Sequence, residues 1–312
     1  MYDTINIRLL QGESDVNFLQ EIPLHLDTNT KSYHEFQNGK CIMGKLGNLS
    51  VSASDKCLRI GNGSLCKYLH GNNYQTLTRL DTKMCLEKIE DALHLSLGKA
   101  DVMRMDVGGN MVMQHSPDVY FKHLGELKGY ARYFQKGSLY YNKTTGMQLC
   151  FYDKNREQKQ KHNEIPIAYQ NRHVLRYEQR YERKAIKVMG GKCCVTASML
   201  YDDVFFSCVC KKWQETYEKI EKIKEIEPNF EAMKTKKDLE IIGVITLVER
   251  FGGEQTFLEL IKELQERKEI DRKEAYKIRT WIKKALKSDK AFVKKNEVIA
   301  ELNSKVRGLW EK

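Results

Sequence analysis

One short stretch, LCFYDKNREQ at residues 149–158, combines a tyrosine with several charged groups. Tyr152 is followed within five residues by Asp153, Lys154, Arg156 and Glu157. A free phenol has a pKa of about 10, so it becomes a useful nucleophile only beside a cation or a metal ion. Tyr152 is therefore a candidate nucleophile, and Lys154 is a candidate for the cation beside it.

Two further stretches place arginines and carboxylates two residues apart. Arg104 and Asp106 lie in VMRMDVG, and Arg176, Glu178 and Arg180 lie in VLRYEQRY. Side chains two residues apart share a face of a β-strand. Two carboxylates that converge from different strands can hold a hard cation such as Mg²⁺ or Mn²⁺. Asp106 and Glu178 are therefore candidate metal ligands.

The apolar side chains of these three segments fall on one face, and the charged and phenolic ones fall on the other. Charged residues in central strands are costly unless they pair or bind a ligand. We expect a site where a metal polarises a phosphate and where Arg176 and Arg180 grip it. The tyrosine would attack DNA, form a 5′-phosphotyrosyl bond and leave a 3′-hydroxyl. The expected members of this face are Arg104, Asp106, Tyr152, Lys154, Arg176, Glu178 and Arg180.

Alternatives to this site stay open. The charges could form ion pairs on a solvent-facing sheet and serve only each other. Tyr140 is a reserve candidate for the nucleophile, whereas Tyr141 has the parity of an apolar neighbour and should lie in the core. His115, His123 and His173 are candidates for a third metal ligand, although no His-x-His pair occurs.

The elements that would position these residues fall into two regions of different texture. Up to about residue 210, alternating segments predict a largely antiparallel curved sheet with flanking helices, including a helix over 78–98. The last segment read as a strand is KCCVTASML, residues 192–200. After about residue 210, amphipathic segments predict successive helices. The fold class is therefore α+β, with a catalytic domain at 1–210 and a helical domain at 211–312 that binds DNA or drives oligomerisation.

Charge and composition limit the function classes. The net charge is +11, and residues 121–192 contain sixteen Lys or Arg against six Asp or Glu. Such a surface attracts polyanions, most often nucleic acid. Nine cysteines, with no CxxC pair and no signal sequence, favour a reducing cytoplasm. Apolar runs are too short to cross a bilayer, and GxxxxGK[ST] is missing, so neither a membrane protein nor an ATPase is expected.

The order of five motifs resembles a known family. YDTINIRL, RMDVGGN, YFKHLGEL, SLYYNKTTGMQLCFYDKNREQK and LRYEQRYERK follow one another between about residues 1 and 210. This order is similar to that of phage and plasmid replication proteins of the gene II/X type, relatives of rolling-circle initiators. The resemblance implies Asp106 and Glu178 as metal ligands and Tyr152 as the residue that attacks DNA. It also implies Lys154, Glu157 and Arg176 as supporting catalytic groups, and the basic residues expected to bind DNA are Arg104, Arg180, Lys143 and Arg156.

Membership would imply a protein that nicks one strand at a replication origin, stays attached to the 5′ end and rejoins the displaced circle. Its cofactor would be Mg²⁺ or Mn²⁺, and its substrate would be origin DNA in single-stranded or hairpin form. A host helicase and a DNA polymerase would be partners, and a homodimer is one option for its assembly. The alternatives are a non-catalytic DNA-binding regulator of replication or copy number, and a structural phage protein whose sheet charges only pair.

Overall fold

Contacts divide the chain into two compact units. Unit 1 contains Met1–Asp118, Leu127–Lys219 and Lys305–Lys312, and unit 2 contains Val119–Glu126 and Ile220–Ser304. The sequence-based division into 1–210 and 211–312 stays a prediction about domains, and its boundary falls inside a helix of unit 1. The structure is a computed structural model that describes residues 1–36, 39–191, 194–223, 226–288, 290–293 and 296–310.

Unit 1 is built on one ten-stranded sheet whose neighbouring strands are antiparallel. This confirms the α+β fold class with a curved antiparallel sheet. The strands are β1 (Tyr2–Leu10), β2 (Ser32–Phe36), β3 (Gly39–Leu46), β4 (Leu49–Ser54), β5 (Cys57–Gly61), β6 (Asp101–Met113), β7 (Ala131–Gln135), β8 (Ser138–Lys143), β9 (Met147–Asp153) and β10 (His173–Glu182). Their spatial order is β2-β3-β4-β5-β1-β6-β10-β9-β8-β7, so the three segments with candidate residues are adjacent at its centre.

Helices alternate with the strands along this part of the chain, and the sequence located only some of them. The helix expected over 78–98 is present with shorter limits, because His94 adopts a left-handed conformation with φ of 51° after Leu93. The segment KCCVTASML was expected to be a strand, but Ala197–Tyr201 form a 3-10 helix, and Lys192 and Cys193 lie outside the described residues. The helices are α1 (Leu65–His70), α2 (Arg79–Leu93), α3 (Pro117–Phe121), α4 (Lys154–Gln160), α5 (Arg183–Met189) and α6 (Asp203–Glu218).

The apolar face of the central strands packs against α6. Phe151 of β9 stacks on Tyr177 of β10 with ring centroids 4.4 Å apart. Tyr177 in turn contacts Trp213 of α6, with centroids 4.5 Å apart. All three rings are fully buried, and Tyr141 is buried as the parity of β8 predicts. Burial of rings this large is the main hydrophobic contribution to this part of the core.

The C-terminal part of the chain is helical, as the sequence predicts. Its helices are α7 (Lys236–Arg250), α8 (Glu254–Glu266), α9 (Arg272–Ala285) and α10 (Glu297–Arg307). Ile245, Val248, Ile282 and Leu286 form the buried core of unit 2. Two short antiparallel strands, β11 (Ile226–Pro228) and β12 (Ala291–Val293), were not expected. In the described part of the chain, no helix combines the length and apolarity that a membrane span requires.

Replacing Phe151 by Ala should destabilise the protein by about 4 kcal/mol, because the change removes a buried ring and leaves a cavity. Urea unfolding followed by circular dichroism measures this loss. The matched control is Phe134→Ala on β7, where the ring is 53% exposed. This exposed change should cost only about 0.5 kcal/mol. Equal losses in the two variants would contradict the placement of Phe151 in the core.

Candidate active site

The strands β6, β9 and β10 bring the candidate side chains onto one face of the sheet. Arg176 lies opposite Tyr152 in the pairing of β10 with β9. Arg180 lies opposite Asp106 in the pairing of β10 with β6. Residues directly opposite each other in an antiparallel pair have their side chains on the same face. The face predicted from strand parity is therefore present, and we call it the polar face.

Charges of alternating sign form ion pairs along the polar face. Arg104 donates from Nε to Asp106 Oδ1 at 2.9 Å and from Nη2 to Oδ2 at 2.7 Å. Arg180 Nε lies 2.8 Å from Glu178 Oε1 and 4.0 Å from Asp106 Oδ2. The side chains of Arg104 and Arg180 are each 31% exposed, whereas both carboxylates are buried. Arg104 and Arg180 are therefore ion-paired cations that stay partly open to solvent.

Arg176 is the buried arginine among these ion pairs. Its Nε donates to Glu178 Oε2 at 3.0 Å, Nη1 to Asn110 Oδ1 at 3.2 Å and Nη2 to Asp3 Oδ2 at 2.7 Å. Because each nitrogen already has an acceptor within the protein, Arg176 fixes the site rather than offering a free edge to a phosphate. We refer to the linked residues Asp3, Arg176, Glu178, Arg180, Asp106 and Arg104 as the charge chain.

Tyr152 joins the charge chain through its hydroxyl group. Its Oη donates to Glu178 Oε2 at 3.2 Å, and the side chain is half-buried. Burial raises the pKa of Tyr152 well above 10, the Glu178 carboxylate raises it further, and Arg176 opposes the rise. The phenol is therefore protonated at neutral pH, with its proton directed at a carboxylate.

Lys154 was expected at the end of a strand but instead begins α4. The cause is Asp153, whose carboxylate accepts the backbone N–H of Arg156 at 3.0 Å and so caps the helix. The Lys154 side chain is fully buried, with Nζ 6.0 Å from the centroid of the Tyr152 ring. Its Nζ donates to Glu157 Oε2 at 2.9 Å. Although Lys154 belongs to α4 rather than to β9, its side chain still lies near Tyr152.

The Lys154–Glu157 pair shifts the pKa values of both groups. Burial lowers the pKa of Lys154 to about 8, and the positive charge of Arg176 acts in the same direction. Burial alone would raise the pKa of Glu157, but Lys154 and a hydrogen bond from Lys161 outweigh it and lower this pKa to about 2. Glu157 is therefore a fixed negative charge that keeps the buried ammonium in place.

The two carboxylates of the charge chain have opposite pKa shifts. Burial raises the pKa of Asp106, and hydrogen bonds from Arg104 oppose the rise. Burial also acts upward on the pKa of Glu178, but Arg176 and Arg180 outweigh it and lower this pKa. Glu178 is therefore held in its ionised form next to the Tyr152 hydroxyl.

Asp106 and Glu178 have the oxygen atoms that a hard cation prefers. However, Arg180 contacts both carboxylates and so takes the place of a bridging cation. Within the described ranges, no three His, Cys, Asp or Glu side chains are grouped so that they could hold a metal ion. The three candidate histidines therefore do not form such a group with the two carboxylates. In this arrangement a cation could bind the pair only by displacing Arg180, and the Mg²⁺ or Mn²⁺ site stays a prediction.

Two of the expected DNA-binding residues lie away from the charge chain. Lys143 is opposite Met147, on the apolar side of the sheet, with Nζ 5.4 Å from the Tyr130 ring centroid. Arg156 lies on α4 and binds Asp118 through both terminal nitrogens. The structure therefore includes Arg104 and Arg180 in the charge chain, but not Lys143 or Arg156.

The reserve nucleophile Tyr140 is on the polar face but one strand farther from Glu178. It lies opposite Cys150, and Cys150 lies opposite Glu178. The Tyr140 ring stacks on Tyr133 with centroids 5.2 Å apart. Tyr152 is thus the tyrosine of the two that contacts the charge chain.

Three polar residues that sequence analysis did not select complete the site. Asp3 and Asn110 accept from Arg176, and Gln148 Oε1 accepts from Arg180 at 3.0 Å. Strand parity could have found Asn110 and Gln148, because each lies four residues from a selected member of its own strand. Asp3 has no such local signal, because β1 meets β6 only through long-range pairing with a register shift.

Comparison with known proteins gives one family match. A family model for the N-terminal part of the gene II replication-associated protein matches residues 1–215. This range contains the whole charge chain, Tyr152 and all ten strands of the sheet. It confirms the resemblance to gene II type proteins. No curated protein matches the chain.

Replacing Glu157 by Gln should leave the buried Lys154 ammonium without its carboxylate and cost about 3 kcal/mol at neutral pH. The folded-state pKa of Lys154 is lowered from 10.5 to about 8, so the folded state releases this proton first. Stability from this group therefore rises with pH across that window. Without the Glu157 carboxylate the folded-state pKa of Lys154 is lower still, so the rise in stability begins at a lower pH in the variant. The difference in the free energy of unfolding between the variant and the unmodified protein should therefore shrink as the pH is raised. Urea unfolding at several pH values measures this.

The matched control is Glu266→Gln, because Glu266 pairs with Lys262 at 3.7 Å on an exposed helix surface. This change should cost no more than about 0.5 kcal/mol and show no such pH dependence. A Glu157→Gln variant as stable as this control would contradict the pairing of Lys154 with Glu157.

Proposed function

Because the chain belongs to the family of the gene II replication-associated protein, we propose that it nicks one DNA strand at a replication origin with Tyr152 as the nucleophile. The family makes the chain a phage replication initiation protein of the gene II type. The observation that carries the finer proposal is the 3.2 Å contact between Tyr152 Oη and Glu178 Oε2. A nucleophile within hydrogen-bonding reach of a base is the arrangement that covalent catalysis requires.

In the proposed reaction, Tyr152 Oη attacks the scissile phosphorus while its proton passes to Glu178. The bond between phosphorus and the 3′-oxygen breaks, and a solvent proton converts that oxygen to a 3′-hydroxyl. Glu178 then returns its proton to solvent. The 5′ end stays attached through a phosphotyrosyl bond, and attack by another 3′-hydroxyl reverses the step and rejoins the strand.

The arginines have different parts in this proposal. Arg180 is partly exposed and shares Glu178 with Tyr152, so it would stabilise the charge that develops on the phosphate oxygens. Arg104 lies at the far end of the charge chain and would bind DNA away from the scissile phosphate. Arg176 is buried and engaged, so it acts as a positioning residue that orients Glu178. Lys154 adds positive potential near the phenol without direct contact. Positive charge near the phenol also favours the phenolate that forms in the reaction.

The products of this reaction account for the proposed partners. A DNA polymerase would extend the free 3′-hydroxyl, and a helicase would separate the strands beyond the nick. Single-stranded or hairpin origin DNA is the proposed substrate, because an unpaired strand exposes the scissile phosphate. A homodimer stays a prediction.

A non-catalytic DNA-binding regulator is the second candidate function. The observation that favours it is the charge chain itself, in which the charged groups already satisfy one another. Such a protein would bind origin DNA through its basic surface without cutting it. The two candidates differ in whether the Tyr152 hydroxyl is needed.

Replacing Tyr152 by Phe should lower the cleavage of labelled single-stranded origin DNA by at least about 10³-fold, because the attacking oxygen is gone. Binding of the same DNA should stay unchanged, since the ring and the charge chain remain. Denaturing gels measure cleavage, and fluorescence anisotropy measures binding. Tyr140→Phe is the matched control and should cleave at the rate of the unmodified protein. Cleavage that survives Tyr152→Phe would refute the assignment of the nucleophile.

A requirement for Mg²⁺ or Mn²⁺ is a separate part of the proposal. Asp106 and Glu178 are the residues that would hold the cation, in place of their contact with Arg180. When bound, the cation would polarise the scissile phosphate. Chelation with EDTA should therefore abolish cleavage, and either ion should restore it. Full cleavage in EDTA would contradict the requirement and leave charge stabilisation to the arginines.

A further inference from the structure

The helices of unit 2 differ in charge. α9 contains six Lys or Arg and one Glu, a net charge of +5. α8 contains one Lys and four Glu, a net charge of −3, and α7 is neutral with three residues of each sign. Solubility alone does not require basic residues to gather on one helix. Their concentration on α9 indicates an anionic partner for that helix.

One side of α9 forms part of the core of unit 2. Ala275, Ile282 and Ala285 are buried, and Ile278 packs against the same core. These positions recur every three or four residues and therefore form one stripe along the helix. The opposite side is exposed and basic, and we call its residues the outer stripe: Lys273, Tyr276, Lys277, Thr280 and Lys284.

Two interactions fix α9 within unit 2. Asp271 caps the helix, because its carboxylate accepts the backbone N–H of Glu274 at 2.8 Å. Arg279 Nη2 donates to Gln265 Oε1 of α8 at 3.0 Å, so this basic side chain serves the fold. Residues 267–271 join α8 to α9 as a short connection. The outer stripe is thus presented by a helix that is held on its other side.

We infer that the outer stripe binds duplex DNA. An α-helix fits the major groove, and lysines along its outer side can neutralise phosphates on the two groove walls. Tyr276 and Thr280 lie between the lysines and could meet base edges, the Thr280 methyl being suited to thymine. This is the geometry in which the second helix of a helix-turn-helix reads DNA. The site is independent of Tyr152 and concerns double-stranded rather than single-stranded DNA.

A protein partner is the competing occupant of this region. Val244, Leu247, Phe257 and Trp281 line an apolar cavity of about 730 Å³ beside α9. Four residues of the outer stripe also line this cavity: Tyr276, Lys277, Thr280 and Lys284. An apolar helix from another molecule could fill such a cavity, but it would not explain the net charge of +5 on α9. Charge complementarity therefore favours the polyanion, and the test below distinguishes the two.

The test uses the full chain with the double substitution Lys273→Ala and Lys284→Ala. Fluorescence anisotropy with a labelled origin duplex measures Kd at several salt concentrations. Two lost phosphate contacts should lower the slope of log Kd against log salt by about 1.8 and weaken binding at least about tenfold at low salt. Cleavage of single-stranded origin DNA should be unchanged, which separates this inference from the proposed nicking activity.

The matched control is Lys237→Ala with Lys262→Ala, which removes the same charge from exposed positions on α7 and α8. This control should keep the slope and the duplex affinity of the unmodified chain. Equal behaviour of the two double variants would overturn the inference. Unchanged duplex affinity together with altered self-association in sedimentation velocity would also overturn it, in favour of a protein interface.

Discussion

The buried guanidinium of Arg176 is the interaction on which the candidate site depends. Removing such a group from water costs several kcal/mol unless carboxylates and polar groups surround it. Here the acceptors are Asp3, Asn110 and Glu178, which belong to β1, β6 and β10. These residues are far apart in the chain, so the site can form only when β1, β6 and β10 pair. Correct pairing of the sheet and assembly of the site are therefore one event.

The ion pairs around Arg176 also determine which groups remain available for catalysis. The charge chain has three arginines and three carboxylates, so its members largely neutralise one another. The Tyr152 hydroxyl is tied to the carboxylate that the buried arginine orients. Arg104 and Arg180 are the arginines of the charge chain that stay partly exposed. A neutral, prearranged cluster with an accessible cationic edge suits a ligand that brings its own negative charge.

Local periodicity in the sequence predicted the two faces of the central strands, because alternation in a strand depends only on neighbouring residues. It placed Phe151 in the core and Tyr152 beside Arg176 and Glu178. It also contained the signal for Lys143, which has the parity of the buried Tyr141 and lies on the apolar side.

Other features could not be found in this way. Lys154 leaves the strand because Asp153 caps a helix, which parity does not register. Asp3 enters the site through long-range pairing of β1, and Arg156 forms an ion pair with Asp118 of another segment.

Mass spectrometry can test directly whether Tyr152 is the nucleophile. The protein is incubated with single-stranded origin DNA and digested with a protease, and the peptides are then searched for a bound nucleotide. We expect a 5′-phosphonucleotide bonded to the peptide that contains Tyr152. Cleaved DNA with the modification on Tyr140, or on no tyrosine, would rule out Tyr152 as the nucleophile.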